Sequence, residues 1–587
     1  MNEKIFTQLM DSIRGLALTS HASLSLILQL LCWQKLSKDP TVPVELRFET
    51  LADQGLAEQV GALRNLQSYA AFPFIDEGVW QSLHGVRDLS PLLQKIRALE
   101  TQDLLDTLAV DDACFWATDY SQGIFGYAPT LCNLLVALLE ITPQQTVYVP
   151  WEGSGQIAAR VVRSNTKVWV ESQMPTTPAQ ILNLISATGW KLHPTNPVQA
   201  PAALEKGQLI QFDTAVCAPP MGVRYSQDIS GNDLWGRFEE KTPVGNVLHI
   251  QHLLAQTKGR IVVTVPNSVL FGKGAEKQLR EYLLKHGYLD AVIAMPAGLC
   301  SHTAIPLTVL VLNRSRRTDV VRFVNADTDE FREISAKKRC ALKNIPDLLA
   351  LIANKSTSAI AASIPISQIA ENDFSLEVNR YVLDESARKL NETLTRYETR
   401  KLGELFDIIR PRQHTTASRG EQVWEVQAQD IPQYGYIQHA SKETLFDLDS
   451  PKANSYFIRP NDVLMTFKGV VGKTGIAGIV PNSGKDGWIT GQSLVILRSR
   501  FPEIYPPKAL LIYLRSAMGQ GLLSRMAVGA SIPSLQLSAL KELEIPMPSV
   551  EGMQPMVRAF DEEAQIQTEI ERLRHRQTEL SSNFWSL

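Results

Sequence analysis

Short apolar segments alternate with helical segments through the middle of this 587-residue chain. Each apolar segment is only a few residues long and rich in β-branched residues, which is typical of buried strands. The predicted strands cover residues 146–150, 167–170, 214–217, 259–266, 289–295 and 307–313. Predicted helices between them cover residues 156–163, 246–256 and 276–286. This alternation predicts an α/β domain with a mostly parallel, doubly wound, Rossmann-like sheet.

The carboxyl ends of three predicted strands carry residues typical of a ligand site. The first strand leads into a turn with Gly153 and Gly155, where backbone amides can approach a ligand closely. The second ends at Glu171, an acid at the position where a cofactor ribose is usually held. The strand 214–217 must end at two prolines, which cannot donate to a sheet, and it is followed by Ala218, Pro219, Pro220 and Met221. Open α/β sheets bind ligands at this edge, so these residues form the candidate site.

Regions of different pattern flank the alternating segment and divide the chain into five parts. Residues 1–115 predict a helical N-terminal domain, and residues 116–330 contain the Rossmann-like domain. Residues 331–400 predict a helical connector. Residues 401–548 have the short strands and turn dipeptides of an α+β domain, and residues 549–587 predict one long helix.

Composition narrows the classes of protein further. The net charge is −3, so a surface that binds nucleic acid must be a local patch. The six cysteines lack C-x-x-C spacing, which argues against zinc and disulfides, and no metal is expected. No apolar run is long enough for a membrane span. The first residues lack the layout of a signal peptide, so we expect a cytoplasmic location.

Several of these motifs occur in an order that is typical of one protein family. Residues 121–385 resemble the modification subunit of type I restriction systems, an S-adenosylmethionine-dependent adenine-N6 DNA methyltransferase. The resemblance rests on residues 123–129, 147–155, 218–222, 259–271, 276–280, 295–296 and 372–382. It implies that Gly153, Gly155 and Glu171 are the positions that bind S-adenosylmethionine.

The C-terminal part of the chain resembles a second component of the same systems. Residues 401–587 are similar to one half of the matching specificity subunit, which consists of a target-recognition domain and a long helix. The similarity rests on residues 401–405, 461–464, 469–473, 491–493, 529–535 and 544–548. The two resemblances together imply a modification subunit fused to half a specificity subunit, with double-stranded DNA as its partner.

The resemblance fails at the residues that carry the chemistry. In the family, an Asn and an aromatic residue flank the two prolines and hold a flipped adenine. Here Ala218 replaces the Asn and Met221 replaces the aromatic residue. Val149 also replaces an acid near the cofactor, and the acid expected within residues 192–200 is absent. These departures imply a degenerate catalytic motif without methyl transfer, and weak or lost binding of S-adenosylmethionine.

Positively charged side chains cluster at the entry to the recognition-like domain, and two more lie in a later turn. The cluster, within residues 396–419, can follow the phosphates of a DNA strand; the alternative is a solvated surface. The turn 468–473 can contact DNA phosphates or be solvated. A nucleotide-binding loop is a third interpretation, but such a loop would need an earlier glycine and a following helix. The predicted DNA-binding residues are Arg400, Arg410, Arg412, Arg419, Lys468 and Lys473.

The predicted terminal helix carries apolar residues along one line. They recur at intervals of 4, 3, 7 and 4 residues, with Gln577 in the remaining position, and they are Ile566, Ile570, Leu573, Leu580 and Phe584. This spacing, which we call the seam, predicts packing on another long helix. We expect self-association or docking on a partner subunit, because half a specificity subunit needs a second half to form a bipartite site.

Three functions remain open on these grounds. The first is a DNA-binding, sequence-recognising component of a restriction-modification-like or phage and plasmid defence system, built on a degenerate methyltransferase. The second is an active adenine-N6 methyltransferase with a divergent motif, and the third is a non-catalytic protein scaffold. The chain has no helicase or nuclease motif, so a nuclease or motor would be a separate subunit.

Overall fold

The structure is a computed structural model in which the chain forms two compact units, Met1–Val382 and Leu383–Leu587. It describes residues 2–16, 18–70, 74–83, 86, 89–102, 104–105, 110–117, 126–164, 166–173, 177–185, 189–301, 305–334, 339–383, 397–411, 420–449, 453–528 and 533–582.

The first unit begins with helices whose apolar faces bury one another. They are Asn2–Ser12 (α1), Ser20–Leu36 (α2), Phe48–Leu51 (α3), Leu56–Leu66 (α4), Glu77–Gln81 (α5), Ser90–Thr101 (α6) and Ala113–Ala117 (α7). The Thr19 hydroxyl accepts a hydrogen bond from the Ala22 amide and thereby caps α2. Ile181 and Leu182 belong to the same core, so these helices pack on the α/β domain that follows.

A mixed nine-stranded sheet forms the centre of the first unit. The strands of this unit are Thr146–Pro150 (β1), Lys167–Glu171 (β2), Lys191–His193 (β3), Leu204–Glu205 (β4), Gln208–Leu209 (β5), Thr214–Cys217 (β6), Arg260–Pro266 (β7), Leu289–Ala294 (β8), Leu307–Asn313 (β9), Val320–Asn325 (β10), Arg332–Ile334 (β11), Cys340–Leu342 (β12) and Ala361–Pro365 (β13). The order in the nine-stranded sheet is β13-β10-β8-β9-β7-β6-β1-β2-β3. The remaining helices are Pro129–Ala137 (α8), Gln156–Val162 (α9), Thr177–Ile185 (α10), Gln227–Gly231 (α11), Gly245–Gln256 (α12), Ser268–Phe271 (α13), Ala275–Lys285 (α14), Ile345–Ala353 (α15), Ile366–Glu371 (α16) and Val378–Tyr381 (α17).

The pairing of the strands refines the sequence prediction in two places. β9 lies between β7 and β8 and is antiparallel to both, so the sheet is mixed. The prediction of a helical connector over residues 331–400 is wrong where that segment contains strands. β11 pairs with β12, and β13 pairs with β10 at the edge of the central sheet.

The second unit combines small sheets with helices, and residues of both form its main core. Its strands are Thr399–Lys401 (β14), Phe406–Ile409 (β15), Glu421–Val426 (β16), Tyr436–Ile437 (β17), Lys442–Phe446 (β18), Val463–Thr466 (β19), Thr474–Ala477 (β20), Trp488–Thr490 (β21), Leu494–Ser499 (β22), Ala527–Val528 (β23), Ser534–Leu535 (β24) and Glu544–Pro546 (β25). The main sheet has the order β15-β22-β19-β20-β17, and a smaller sheet has the order β18-β16-β21. The described helices are Leu402–Leu405, Pro507–Arg515, Ala517–Met526, Leu537–Lys541 and the terminal helix Val550–Ser582.

Candidate functional site

The predicted ligand residues lie on three neighbouring strands of the central sheet. β1 lies between β2 and β6, and all three strands are parallel. Pro150 at the end of β1 pairs with Glu171 at the end of β2. The glycine turn, Glu171 and the residues from Ala218 to Met221 therefore follow neighbouring strands at one edge of the sheet, where open α/β sheets bind ligands.

The glycine turn after β1 is organised around the buried side chain of Glu152. Its carboxylate accepts hydrogen bonds from the Ser154 hydroxyl and the Gly155 amide, at 2.9 and 2.7 Å. It also accepts one from the Ile157 amide at 3.2 Å, so it caps the N-terminus of α9. Gly155 has φ 80°, a left-handed conformation that favours glycine. Burial raises the pKa of Glu152, while these hydrogen bonds oppose that rise.

Glu171 is fully buried and is held by groups of the protein. One carboxylate oxygen accepts from the Thr195 hydroxyl and the Ala202 amide, at 2.7 and 2.9 Å. The other oxygen accepts from the Tyr148 hydroxyl at 3.0 Å. The exposed fraction of Glu171 is 0%, so a ribose cannot reach the carboxylate in this conformation. Burial raises the pKa of Glu171, and its three donors act in the opposite direction.

A hydrogen-bond chain connects Glu171 to Arg237 through the protein interior. Arg237 can only donate, so the Nδ1 atom of His252, 3.0 Å from its Nη1, accepts. Burial and the Arg237 charge lower the pKa of His252 far below its usual value, so the ring is neutral and its Nε2–H donates to the Tyr148 oxygen at 2.9 Å. Tyr148 then donates to Glu171. Arg237 is itself paired with Asp233 at 2.8 Å, and both side chains are buried.

At the position of the catalytic motif, the small residue Ala218 contacts the side chain of Tyr127. Ala218 is buried, and its backbone carbonyl accepts a hydrogen bond of 3.1 Å from the Tyr127 hydroxyl. Met221 is half-buried and packs against the core cluster that contains both residues. The Gln156 side-chain amide bonds twice to the backbone of Tyr127: its oxygen accepts from the Tyr127 N–H at 2.8 Å, and its nitrogen donates to the Tyr127 carbonyl at 2.9 Å. Tyr127 is thereby fixed to α9, the helix that Glu152 caps.

Four residues of this site have no role in the sequence prediction: Tyr127, Glu152, Arg237 and His252. Glu152 stands directly before Gly153, and an acid just before a predicted helix is a signal that it caps the first turn of that helix. The spacing of Asp233 and Arg237 gives a local signal for their ion pair only. The contacts of Arg237 with Pro197 and of His252 with Tyr148 join residues far apart in the sequence, so no local pattern predicts them.

The predicted DNA-binding residues are all in the second unit. Arg400 lies on β14, Arg410 follows β15, and both are exposed. Lys468 is exposed in the turn after β19. Lys473 is half-buried, and its ammonium donates to the Ala428 carbonyl at 2.8 Å, which makes it less available to a phosphate. Two further predicted residues, Arg412 and Arg419, lie outside the described residues.

In the described part of the terminal helix, apolar packing on its own unit ends at Ala564, and one polar contact further along joins Gln438 to Glu571 at 2.9 Å. Met553, Phe560 and Ala564 are buried in the core of the second unit. Beyond them the seam is open to solvent, because Ile566 and Leu580 are 55% and 60% exposed and the seam residues between them are exposed as well. The seam residue Phe584 lies outside the described residues.

Buried histidines make the first unit sensitive to acid. Burial lowers the pKa of His249, which contacts Tyr225 and Trp151, to about 3. Below pH 6.5, His249 binds a proton in the unfolded chain but stays neutral in the folded chain. The free energy of unfolding therefore falls by about 1.4 kcal/mol per pH unit as the pH falls towards 3. We expect His249→Gln to reduce the pH slope of the free energy of urea unfolding by about this amount well below pH 6.5, with no difference above about pH 7. The same slope as the wild type below pH 6.5 would contradict this assignment.

The residues at the sheet edge do not fit S-adenosylmethionine as they stand. The amides of Gly155 and Ile157 in this turn already donate to the Glu152 carboxylate. Glu171, the acid expected to bind ribose hydroxyls, is buried. The described residues contain no group of three His, Cys, Asp or Glu side chains that could hold a metal ion. Within the same residues, no helix is both long and apolar enough to cross a membrane.

Comparison with known proteins connects the first unit with DNA methylases. Residues 181–389 match the family model for N-6 DNA methylase. The methylase subunit of the type I restriction enzyme MpnII from Mycoplasma pneumoniae is 29% identical over 189 residues, which are 30% of this chain and 34% of that protein. The methylase subunit of the MjaVII enzyme from Methanocaldococcus jannaschii is 23% identical over 172 residues, 27% of this chain and 30% of that protein. The matches thus span about a third of these relatives.

A solved structure has the same fold at low identity. It is the methyltransferase subunit of a type I restriction-modification system from Streptococcus thermophilus, with a TM-score of 0.54 and 17% identity. The match covers 65% of this chain and the whole of that chain. Similarity at this level of identity establishes the methyltransferase-like α/β fold and leaves the chemistry to the residues of the site.

Proposed function

We propose that this chain is a DNA-binding, sequence-recognising component of a restriction-modification-like or phage and plasmid defence system. Its first unit is an adenine-N6 methyltransferase fold that does not transfer methyl groups. The observation that carries this proposal is Ala218, a buried residue without a polar side chain where an adenine amino group would have to be held.

The chemistry of the site supports the loss of methyl transfer. A nitrogen becomes nucleophilic in such a site only if an acceptor orients its amino group, and the Ala218 side chain has no acceptor. Met221 supplies no aromatic face on which a flipped base could stack. The neighbouring Tyr127 hydroxyl does not replace these functions, because it is buried and donates to the Ala218 carbonyl.

DNA recognition is assigned to the second unit and its exposed cations. Each phosphate that a protein neutralises contributes about −0.9 to the slope of log K against log salt. We expect the double variant Arg400→Ala and Arg410→Ala to bind all duplexes more weakly and to flatten this slope by about 1.8. Fluorescence anisotropy over a range of salt concentrations measures both effects.

A matched control separates this result from general loss of charge. Arg572→Ala also removes one arginine, which is 61% exposed and paired with Glu569 on the terminal helix. We expect it to leave the salt slope of DNA binding unchanged. If both variants flatten the slope equally, the assignment of phosphate contacts to Arg400 and Arg410 is wrong.

The exposed seam supports pairing of two chains, which would create a bipartite DNA site from two half-sites. Charge along the terminal helix favours an antiparallel arrangement of two copies. Acids are concentrated in residues 561–571, and three arginines follow in residues 572–576. Antiparallel pairing brings the acidic part of one helix to the basic part of the other, whereas parallel pairing would bring like charges together. A nuclease or motor would join this assembly as a separate subunit.

The alternative function is an active adenine-N6 methyltransferase with a divergent motif. The match of residues 181–389 to N-6 DNA methylases favours it. It requires Glu171 to become accessible and another group to take the role of the missing Asn, so a methyl-transfer assay separates the two functions.

A further inference from the structure

We infer that the first unit has replaced the ligands of its methyltransferase centre with its own side chains, so that the centre is a closed structural core that needs no cofactor. The inference rests on the proposed function and extends it from the catalytic motif to the whole cleft. Three separate positions at the carboxyl edge of the sheet carry it.

The first position is the N-terminus of α9. The amides at the start of a helix form an anion site, and in a glycine turn they normally face a bound ligand. Here the Glu152 carboxylate takes that place and accepts from the amides of Gly155 and Ile157. Glu152 is 3% exposed, so the anion that satisfies this helix end is internal.

The second position is the end of β2. An acid that binds a ribose must present free acceptor atoms to the cleft, but Glu171 accepts from Tyr148, Thr195 and Ala202. Thr195 and Ala202 belong to the segment between β3 and β4, which therefore covers the acid. Arg237 fixes the same segment by donating to the Pro197 and Val198 carbonyls at 2.9 and 2.7 Å. The cover is thus tied to the hydrogen-bond chain that ends on Glu171.

The third position is the end of β6. The buried Tyr127 hydroxyl donates to the Ala218 carbonyl, at the residue whose side chain would be the family's Asn. Gln156 holds the backbone of Tyr127 and also donates to Asp112 at 3.0 Å. Asp112 is in turn paired with Arg160 of α9 at 2.8 Å. The first and third positions are therefore tied to each other through α9, and the second is held by Tyr148 and by the segment that Arg237 fixes.

A closed polar core and a ligand site predict opposite effects of mutation on the stability of the ligand-free protein. Residues of a working ligand site are accessible and cost stability, so their replacement leaves the ligand-free protein as stable or more stable. Residues of a closed polar core are required for stability, because removing one partner leaves buried groups unsatisfied. Glu171 therefore distinguishes a cofactor site from an internal core.

The test is scanning calorimetry of the full chain, with local hydrogen exchange of peptides from β1 and β2. Glu171→Gln replaces a carboxylate that accepts three hydrogen bonds with an amide whose nitrogen can only donate, so a buried donor loses its acceptor. We expect this change to lower the melting temperature of the first unit by roughly 2–6 °C. Tyr148→Phe, which removes only the hydroxyl, should increase exchange in the same peptides. Glu205→Gln is the matched control, because Glu205 is an exposed acid of the same unit, and no change is expected.

The second arm adds S-adenosylmethionine at millimolar concentration to the wild-type chain. A ligand present at about a hundred times its Kd would raise the melting temperature by several degrees. We expect no rise. A rise in the wild type that is lost in Glu171→Gln, or a Glu171→Gln variant as stable as Glu205→Gln, would overturn the inference. Neither measurement involves DNA, so the inference can fail while DNA recognition stands, and DNA recognition can fail while the core is closed.

Discussion

The full chain, incubated with S-adenosylmethionine and DNA of mixed sequence, is expected to leave the DNA unmethylated. Loss of one preorganised polar contact to a reacting group commonly costs about a hundredfold or more in rate, and Ala218 lacks such a contact. We therefore expect a rate at least ~10²-fold below that of a working enzyme from this loss alone, and Met221 removes the stacking face as well. Transfer of a radioactive methyl group to DNA measures it.

Restoration of the two side chains sharpens this test. The double variant Ala218→Asn and Met221→Phe rebuilds the motif but leaves Glu171 buried and the turn amides engaged by Glu152. We expect it to remain inactive, because a rebuilt base pocket without a cofactor has no methyl donor. The wild-type chain would have to be counted as an active enzyme if it methylated DNA and Gly153→Asp abolished that activity. Methylation that survives Gly153→Asp would instead point to a contaminating enzyme.

Disruption of the seam is expected to abolish self-association of the chain. Ile570 and Leu573 are 38% and 47% exposed, and in a symmetric pair each would be buried twice. Full burial of one such exposed side chain stabilises by about 1.5–3 kcal/mol. Since less than half of each side chain is still exposed, four lost contacts correspond to roughly 3–5 kcal/mol, which is about a hundredfold or more in Kd. Light scattering of the variant Ile570→Asp and Leu573→Asp over a range of concentrations measures the loss.

The control for this variant changes the same helix outside the seam. Gln565→Asp and Thr568→Asp also add two carboxylates at exposed positions, and they should leave the assembly unchanged. The seam variant should still bind a single half-site, because the core of the second unit ends at Ala564. An unchanged assembly together with complete loss of DNA binding would show that the helix contacts DNA and does not pair chains.

Six strands of the first unit could be predicted, because apolar runs such as Thr214–Cys217 are typical of buried strands. The other seven, which include β3 and β10, were not predicted. Their order could not be predicted in full. β9 enters the sheet antiparallel between β7 and β8, and no local pattern encodes which neighbours a buried strand chooses. β13 was missed for a different reason, because Ala361 and its small neighbours give too weak an apolar signal to distinguish a strand from a connector.

The candidate site could be located from the sequence, but its state could not. Gly155 and Glu171 follow β1 and β2 as motif positions require, and the structure brings them together with Ala218 at one sheet edge. Whether Glu171 faces a ligand or the interior depends on Tyr148, on the segment after β3 and on Arg237. These contacts join residues distant in sequence, so only the folded structure reveals them.

The most direct test of DNA recognition without methyl transfer is a binding measurement with and without the cofactor. Duplexes selected by the full chain from a random library should bind at least ~10³-fold more tightly than scrambled duplexes at physiological salt. S-adenosylmethionine should not change that ratio, because a ligand that does not bind cannot be coupled to DNA binding. Equal affinity for selected and scrambled duplexes, or a preference that arises only when S-adenosylmethionine is added, would contradict the proposed function.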